Sequence, residues 1–386
     1  MTTHLAVGNS LPADDLRPSY EEAIAGGANP APTAPAIARS TRSASISLHD
    51  GTTAPSVLRV RHLGRALCHN GAVTNIAISP RGFVATSQNN KGAAVSCGSK
   101  LWDFKSKPSG SGARLVASDM NGASMVVFSP DGRLSAVLER DAGPGDEWRV
   151  KMRSGEEGKG TKAVLKGVGK PAVFNHEGSM FAATDPTGVV IVYEAARVHP
   201  APAGVPPAKR ISGIVNHGKP THVRFMPNGM DIVTLSKDGT VRISDARTGR
   251  TLRRMEVDNV STANGLGACA LAVSPDGKVV VSVWSRAIYL WQHEEGNVSS
   301  WEMNKVRSSE GWPLAVSRDC RLLACRTEEG MDISDLYSGQ VLAEIKTATG
   351  IEGLVTSAAF SADGKILAVG RYTGVVDVWD LAPFED

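Results

Sequence analysis

The sequence predicts an all-β fold built from seven copies of one short unit, and two observations lead there. The first is a recurring four-residue anchor. Its copies are Ser79-Pro80-Arg81-Gly82, Ser129-Pro130-Asp131-Gly132, Asn175-His176-Glu177-Gly178, Met226-Pro227-Asn228-Gly229, Ser274-Pro275-Asp276-Gly277, Ser317-Arg318-Asp319-Cys320 and Ser361-Ala362-Asp363-Gly364. Successive copies fall 43 to 51 residues apart. Such a period marks stacked or radial repeats and lies near the ~40–45 residues of a four-stranded propeller blade. The second observation is the flanking pattern: an apolar run of strand length on each side of the anchor, then a third run.

Within each unit the anchor is a turn. Asp-Gly or Asn-Gly occupies it in four of the seven copies, and that pair readily takes the positive-φ geometry of a tight hairpin. The run before it, such as Val73-Thr74-Asn75-Ile76-Ala77-Ile78 or Met125-Val126-Val127-Phe128, carries strand signals, as does the run after it, such as Val279-Val280-Val281-Ser282-Val283. Third strands follow at Leu101-Trp102-Asp103, Val241-Arg242-Ile243-Ser244-Asp245, Ile288-Tyr289-Leu290-Trp291, Met331-Asp332-Ile333-Ser334-Asp335 and Val376-Asp377-Val378-Trp379-Asp380.

Phe/Val-Ser-Pro-Asp-Gly turns followed by Leu-Trp-Asp or Val-Trp-Asp strands resemble WD40 repeats, over roughly Val57 to Leu381. The resemblance implies a closed β-propeller, usually of seven blades. Only Leu101-Trp102-Asp103 and Val378-Trp379-Asp380 keep the Trp-Asp pair, and the Gly-His dipeptide that opens typical repeats is absent, with His69 and His217 its nearest counterparts. From this the buried Asp-His-Ser/Thr-Trp network of WD40 blades is expected to be incomplete in every blade, with apolar packing carrying more of the stability.

The last repeat, Val355 to Leu381, supplies three strands where a blade needs four. An unpaired sheet edge at that seam invites aggregation or opening. Residues 56–63 alternate suitably for a strand, and WD40 proteins commonly close by pairing an N-terminal strand with the last blade. The predicted fold is therefore a seven-bladed β-propeller over residues 55–386, closed by an N-terminal strand pairing with the last blade and preceded by a disordered arm at 1–54.

That arm is rich in Ala, Pro, Ser and Thr and lacks the repeated apolar pattern. Within it, Pro18 and Tyr20 of Arg17-Pro18-Ser19-Tyr20 resemble the Pro-Pro-x-Tyr ligand of WW domains, with Arg17 in place of the first proline; a passive linker is the other reading. Arg39-Ser40-Thr41-Arg42-Ser43-Ala44-Ser45 places arginines upstream of serines, as basic-directed kinases prefer, in a composition where such matches are common. Along the repeats, long connections are expected at Ser87–Ser99, Lys105–Gly112 and Glu139–Glu147, and around Pro200, Pro202, Pro206 and Pro207. The third strand of blade 2, Trp148–Met152, reads as irregular, and blade 3 has the weakest turn. Long loops are where a rigid scaffold carries variable recognition.

A net charge of +3 spread along 386 residues gives no argument for nucleic acid. Five irregularly spaced cysteines read as buried reduced thiols. The N-terminus lacks a signal-peptide pattern, and no run approaches the ~18 apolar residues of a membrane span. The expected location is cytoplasmic, with the nucleus possible; sequons at Asn259 and Asn297 are then chance matches.

Catalytic patterns are missing. Gly158-Lys159-Gly160-Thr161-Lys162 lacks the spacing of a phosphate loop, and His176-Glu177 and His293-Glu294 have no second histidine four residues after the first. Cys320 and Cys325 have no matching pair for zinc, and Gly-x-Ser-x-Gly is absent. No enzyme activity, cofactor or metal is expected.

In a propeller the loops joining strand two to three, and blade to blade, share one face. On blades 4 to 7 that face would carry Lys237, Asp238, Trp284, Arg286, Trp312, Arg326, Arg371 and Tyr372. Trp, Tyr and Arg are enriched at interface hot spots, since they combine apolar area with a polar handle; alternatively Trp284 and Trp312 pack between blades. The expectation is a non-catalytic scaffold that holds other proteins on this face, within a multiprotein complex, with the arm as a second contact. The alternative is a membrane adaptor. Leu252-Arg253-Arg254-Met255 resembles the Phe/Leu-Arg-Arg-Gly motif of phosphoinositide-binding propellers of autophagy, with Met255 in place of the glycine. By that resemblance Arg253 and Arg254 would face separate phosphate pockets; otherwise they are two exposed arginines on an outer strand.

Overall fold

The computed structural model describes residues 58–88, 98–104, 113–121, 123–140, 148–157, 159–195, 209–215, 218–257, 268–284, 287–293, 301–307, 311–348 and 350–383. Their strands form seven four-stranded antiparallel sheets. The first strand, β1 (Leu58–Leu67), is set aside for the closure. Blade 1 is β2 (Val73–Ile78), β3 (Val84–Gln88), β4 (Gly98–Asp103) and β5 (Arg114–Asn121). Blade 2 is β6 (Ala123–Phe128), β7 (Leu134–Arg140), β8 (Trp148–Ser154) and β9 (Lys159–Lys166). Blade 3 is β10 (Gly169–Phe174), β11 (Met180–Thr184), β12 (Val190–Glu194) and β13 (Lys209–Ile214). Blade 4 is β14 (Pro220–Phe225), β15 (Asp231–Ser236), β16 (Thr240–Asp245) and β17 (Thr251–Glu256). Blade 5 is β18 (Ala268–Val273), β19 (Val279–Trp284), β20 (Ala287–His293) and β21 (Trp301–Arg307). Blade 6 is β22 (Trp312–Val316), β23 (Leu322–Arg326), β24 (Gly330–Asp335) and β25 (Val341–Lys346). Blade 7 is β26 (Val355–Phe360), β27 (Ile366–Arg371) and β28 (Val375–Pro383), completed by β1.

In each of the first six blades the chain starts on the inside and steps outward. The innermost strands touch in sequence, β2 with β6, β6 with β10 and onward to β22 with β26, and β26 touches β2. The ring is closed. The expected closing strand is present and longer than its sequence pattern predicts: β1 runs to Leu67 and pairs antiparallel with β28 from Leu58↔Pro383 to Leu67↔Val375. One bulge between His62 and Gly64 lets the strand curve along its partner.

All seven anchors are the turns between the first and second strands. In six, glycine takes a positive φ of 67–88°; in the seventh, Cys320 does so at 59°, a region that costs a side-chain-bearing residue strain. Serine supplies the rest of the geometry. In blade 5, Ser274 Oγ accepts from the Val279 N–H at 2.9 Å and donates to Asp276 Oδ1 at 2.5 Å, and Asp276 accepts from the Lys278 N–H. Blades 2, 6 and 7 repeat this arrangement at Ser129, Ser317 and Ser361.

The apolar core lies between blades. Leu138 and Met152 of blade 2 share one cluster with Phe174 and Phe181 of blade 3. Leu235 and Ile243 of blade 4 share another with Leu271 and Trp291 of blade 5. Each sheet therefore buries both faces, and its second strand reads as a continuous apolar run, as in the fully buried Val279–Trp284.

The two blades with the weakest sequence pattern, 2 and 3, are both four-stranded. Trp148–Met152 belongs to a regular strand, since β8 pairs with β7 over seven consecutive residues without a shift; its irregularities face β9. Blade 3 is complete despite its weak turn, because Asn175 replaces the serine and its Oδ1 accepts from the Met180 N–H at 2.9 Å. The long connections at 89–97, 105–112, 141–147 and 196–208, and the arm with Pro18 and Tyr20, lie outside the described residues.

Candidate functional site

The innermost strands all run in one direction, so the starts of β22 and β26 and the turn after β27 share one face of the ring. At the start of β22 stands Trp312, 48% exposed, paired across the sheet with Arg326. The Arg326 guanidinium lies 5.4 Å from the centroid of the Trp312 ring and donates to the Val355 carbonyl at 3.4 Å. That second contact crosses from blade 6 to blade 7. Val355 pairs with Arg371, and the next residue, Tyr372, is 45% exposed while its N–H donates to the Leu354 carbonyl at 2.9 Å. Ile351, in the 3-10 turn Gly350–Glu352 that leads into β26, and Leu67, at the end of β1, are exposed on the same face. Trp312, Arg326, Ile351, Tyr372 and Leu67 thus form one rim segment, apolar with a fixed cation.

The other predicted face residues are placed differently. Trp284 is buried among Leu235, Val241 and Val273, and among the described residues its indole N–H has no hydrogen-bond partner. Arg371 is buried and donates to Asp377 Oδ2 at 2.5 Å. Asp238 shapes its own turn, accepting from the Thr240 N–H and hydroxyl at 3.0 and 2.7 Å. Lys237 beside it is exposed. Arg286 lies outside the described residues. Arg253 and Arg254 do lie on the outer strand β17: Arg253 donates to the Leu252 carbonyl at 3.0 Å, and Arg254 pairs with Glu256 at 2.5 Å.

Beneath the rim, Asp377 organises the closure. It sits on β28, almost fully buried, and receives Arg371 from β27 together with Arg65 at 2.6 Å and His62 at 3.0 Å from β1. Arg65 is its cross-strand partner. His62 also lies against Trp379, with ring centroids 4.6 Å apart. One carboxylate thus ties the closing strand to the blade it completes.

Blade 1 holds most of the polar network that the family resemblance left doubtful. His69 Nε2 meets the Thr86 hydroxyl at 2.9 Å, and the Trp102 indole N–H donates to the same hydroxyl at 3.1 Å. Burial, helped by the nearby Lys100 ammonium, pushes the His69 pKa down to about 4, so the ring is neutral at pH 7. The turn of this blade carries Arg81 where four of the others carry aspartate. Glu156 of blade 2 takes that role: its carboxylate accepts from the Ser79 hydroxyl at 2.7 Å, the Arg81 N–H at 3.3 Å and the Arg81 guanidinium at 3.2 Å. The substitution converts a turn into a latch between blades. Sequence reasoning missed Glu156, though an arginine standing in for the turn aspartate was its visible sign.

Among the described residues, no group of three or more His, Cys, Asp or Glu side chains converges to hold a metal, and no helix is long and apolar enough to cross a membrane. The family model for the WD domain, G-beta repeat, matches residues 342–380, the outermost strand of blade 6 followed by the first three of blade 7. No curated protein matches the chain.

Proposed function

We propose that this chain, a seven-bladed propeller carrying a WD domain, G-beta repeat, is a non-catalytic platform that holds partner proteins on the face of blades 6 and 7. WD40 propellers are commonly protein-interaction scaffolds. The observation that supports the location is the exposed Trp312–Arg326–Ile351–Tyr372 segment beside Leu67. Aromatic and arginine side chains dominate interface energetics because each combines large apolar area with a directional polar group.

Rigidity is the mechanism. Arg326 is held by the Trp312 ring and the Val355 carbonyl, and the backbone on either side is strand or hydrogen-bonded turn, so little conformational freedom is lost on docking. The chemistry suits an extended segment offering apolar side chains to Trp312, Ile351 and Tyr372 and a carboxylate to Arg326. Lys237, further round the same face, would extend the cationic rim. Trp284 and Arg371 contribute from below, as the packing and ion pair that hold the face flat.

The test is a quantitative pull-down with the full chain, the folded Trp312→Ala/Tyr372→Ala variant and a control, Leu252→Ala, on the outer strand of blade 4. Loss of the same partners from the face variant alone is expected. Retention of every partner by the face variant would sink the proposal.

A further inference from the structure

The innermost strands enclose a central channel of about 650 Å³, within the ~300–1,000 Å³ range of small-molecule sites. Every titratable side chain lining it, among the described residues, is basic: Lys170, His176, His222, Arg224 and Arg318. Counted from the first residue of the shared turn, Lys170 stands five positions before it, Arg224 two before and Arg318 one after. At ~3.3 Å per strand residue, Arg224 and Arg318 occupy levels about 10 Å apart along the axis, and Lys170 lies beyond Arg224 within the bulge between Gly169 and Ala172, which shortens its separation.

Among the described residues, neither arginine pairs with a carboxylate: Arg224 donates to the Val223 carbonyl, at 3.0 Å, and Arg318 reaches from blade 6 to the His176 ring of blade 3 across the turn end of the channel. The acids on the turns around that mouth are each hydrogen-bonded within their own turn: Asp131, Asp276, Asp319 and Asp363 accept from the turn serine, and Glu177 accepts from the Ser179 hydroxyl. Arg224 is open to water inside the channel yet ringed by protein, and that enclosure lowers its pKa, as it does for Arg318. His176 is held down by burial and then by Arg318, so it accepts a hydrogen bond from the guanidinium as a neutral ring. Enclosing cations without an anion is costly, and a ligand that supplies the anion recovers that cost.

We propose that the channel binds an extended small-molecule polyanion of the oligophosphate or phosphate-ester class. Arg224 and Arg318 present the planar forks that match phosphate oxygens, and the spacing of levels favours several anionic groups in a row over a single one. This site is separate from the rim of blades 6 and 7 and stands whether or not that rim binds protein.

Isothermal titration of the full chain with orthophosphate, tripolyphosphate and a longer linear oligophosphate tests it, with citrate as the carboxylate arm. One saturable site is expected, tightening with chain length, and weakened about 10-fold or more by Arg224→Gln or Arg318→Gln, the loss of one charge-assisted contact. Arg247→Gln, outside the channel, should bind as the parent does. Arg318 lies on an exposed turn, so its variant reports on binding even if Arg224→Gln disturbs folding. No saturable binding, or equal weakening by Arg247→Gln, overturns the proposal; citrate binding as tightly as the oligophosphates overturns the phosphate assignment.

Discussion

Removing the carboxylate of Asp377 should open the ring at its seam. Its side chain is 1% exposed and that of Arg371 7%, and their 2.5 Å contact is a buried pair, whereas Arg65 on the same carboxylate is 56% exposed. The two halves of the cluster therefore differ in weight. Asp377→Ala strands the Arg371 guanidinium in the interior, and breaking a buried pair from one side costs about 3–5 kcal/mol. Arg65→Ala removes a solvated partner and should cost only about 0–1 kcal/mol. Guanidinium unfolding followed by tryptophan fluorescence measures both. Because β1 is held laterally by β28 alone in its sheet, trypsin should also cut faster at Arg61 and Arg65 in Asp377→Ala. Replacing both members of the pair, Arg371→Met with Asp377→Leu, should recover most of the loss. An Asp377→Ala cost below about 1 kcal/mol, or an Arg65→Ala cost equal to it, would refute the reasoning.

His69 gives a pH prediction. Its folded pKa of about 4 lies below its ordinary value of 6.5, so as pH falls the unfolded chain takes the proton first. Its contribution is fully present above pH ~6.5 and is lost progressively towards pH ~4, up to about 3 kcal/mol; the difference between parent and His69→Gln stability should shrink across that window, and a constant difference would sink the assignment. Glu156→Ala should cost about 1–3 kcal/mol, since it leaves the Ser79 hydroxyl and the Arg81 N–H without their acceptor; an unchanged unfolding midpoint would deny the latch. Liposome flotation should not depend on phosphoinositide, nor change in Arg253→Ala/Arg254→Ala; phosphoinositide-dependent flotation abolished by that variant would favour the membrane reading over the scaffold.

The fold was legible because its determinants are local and repeated. Ser-Pro-Asp-Gly marks the turn, and apolar runs of fixed length mark the strands beside it. The sixth copy, with Cys320 at the glycine position, was still recognisable by its spacing, although its backbone is the least comfortable of the seven. The face was legible only by residue type. Trp312 and Tyr372 stand where an interface residue should, but Trp284 and Arg371 end second strands whose side chains are buried. Arg371 carried a sign in Asp377, a carboxylate three residues after a turn and flanked by valines. With the closing strand placed, Arg65 falls opposite it. The basic channel had no such sign, because its cations sit on different blades at different heights and form a set only once the innermost strands are superposed on their common turn.

The origin of the closing strand also sets a schedule for folding. Arg61 and Asp380, joined at 2.8 Å, are separated by 319 positions in the chain. At roughly 5–20 residues per second, β1 leaves the ribosome about 15–60 s before its partner exists. Over that interval six blades can assemble from neighbouring segments, while an early strand carrying Leu58, Val60 and Leu67 waits with its hydrogen-bonding edge open. Closing so long a loop costs only about 2 kcal/mol more than closing one repeat, by the logarithmic growth of loop entropy. Exposure during synthesis is thus the larger hazard, and cellular yield should depend more on chaperones that shield nascent β edges than on the stability of the finished ring.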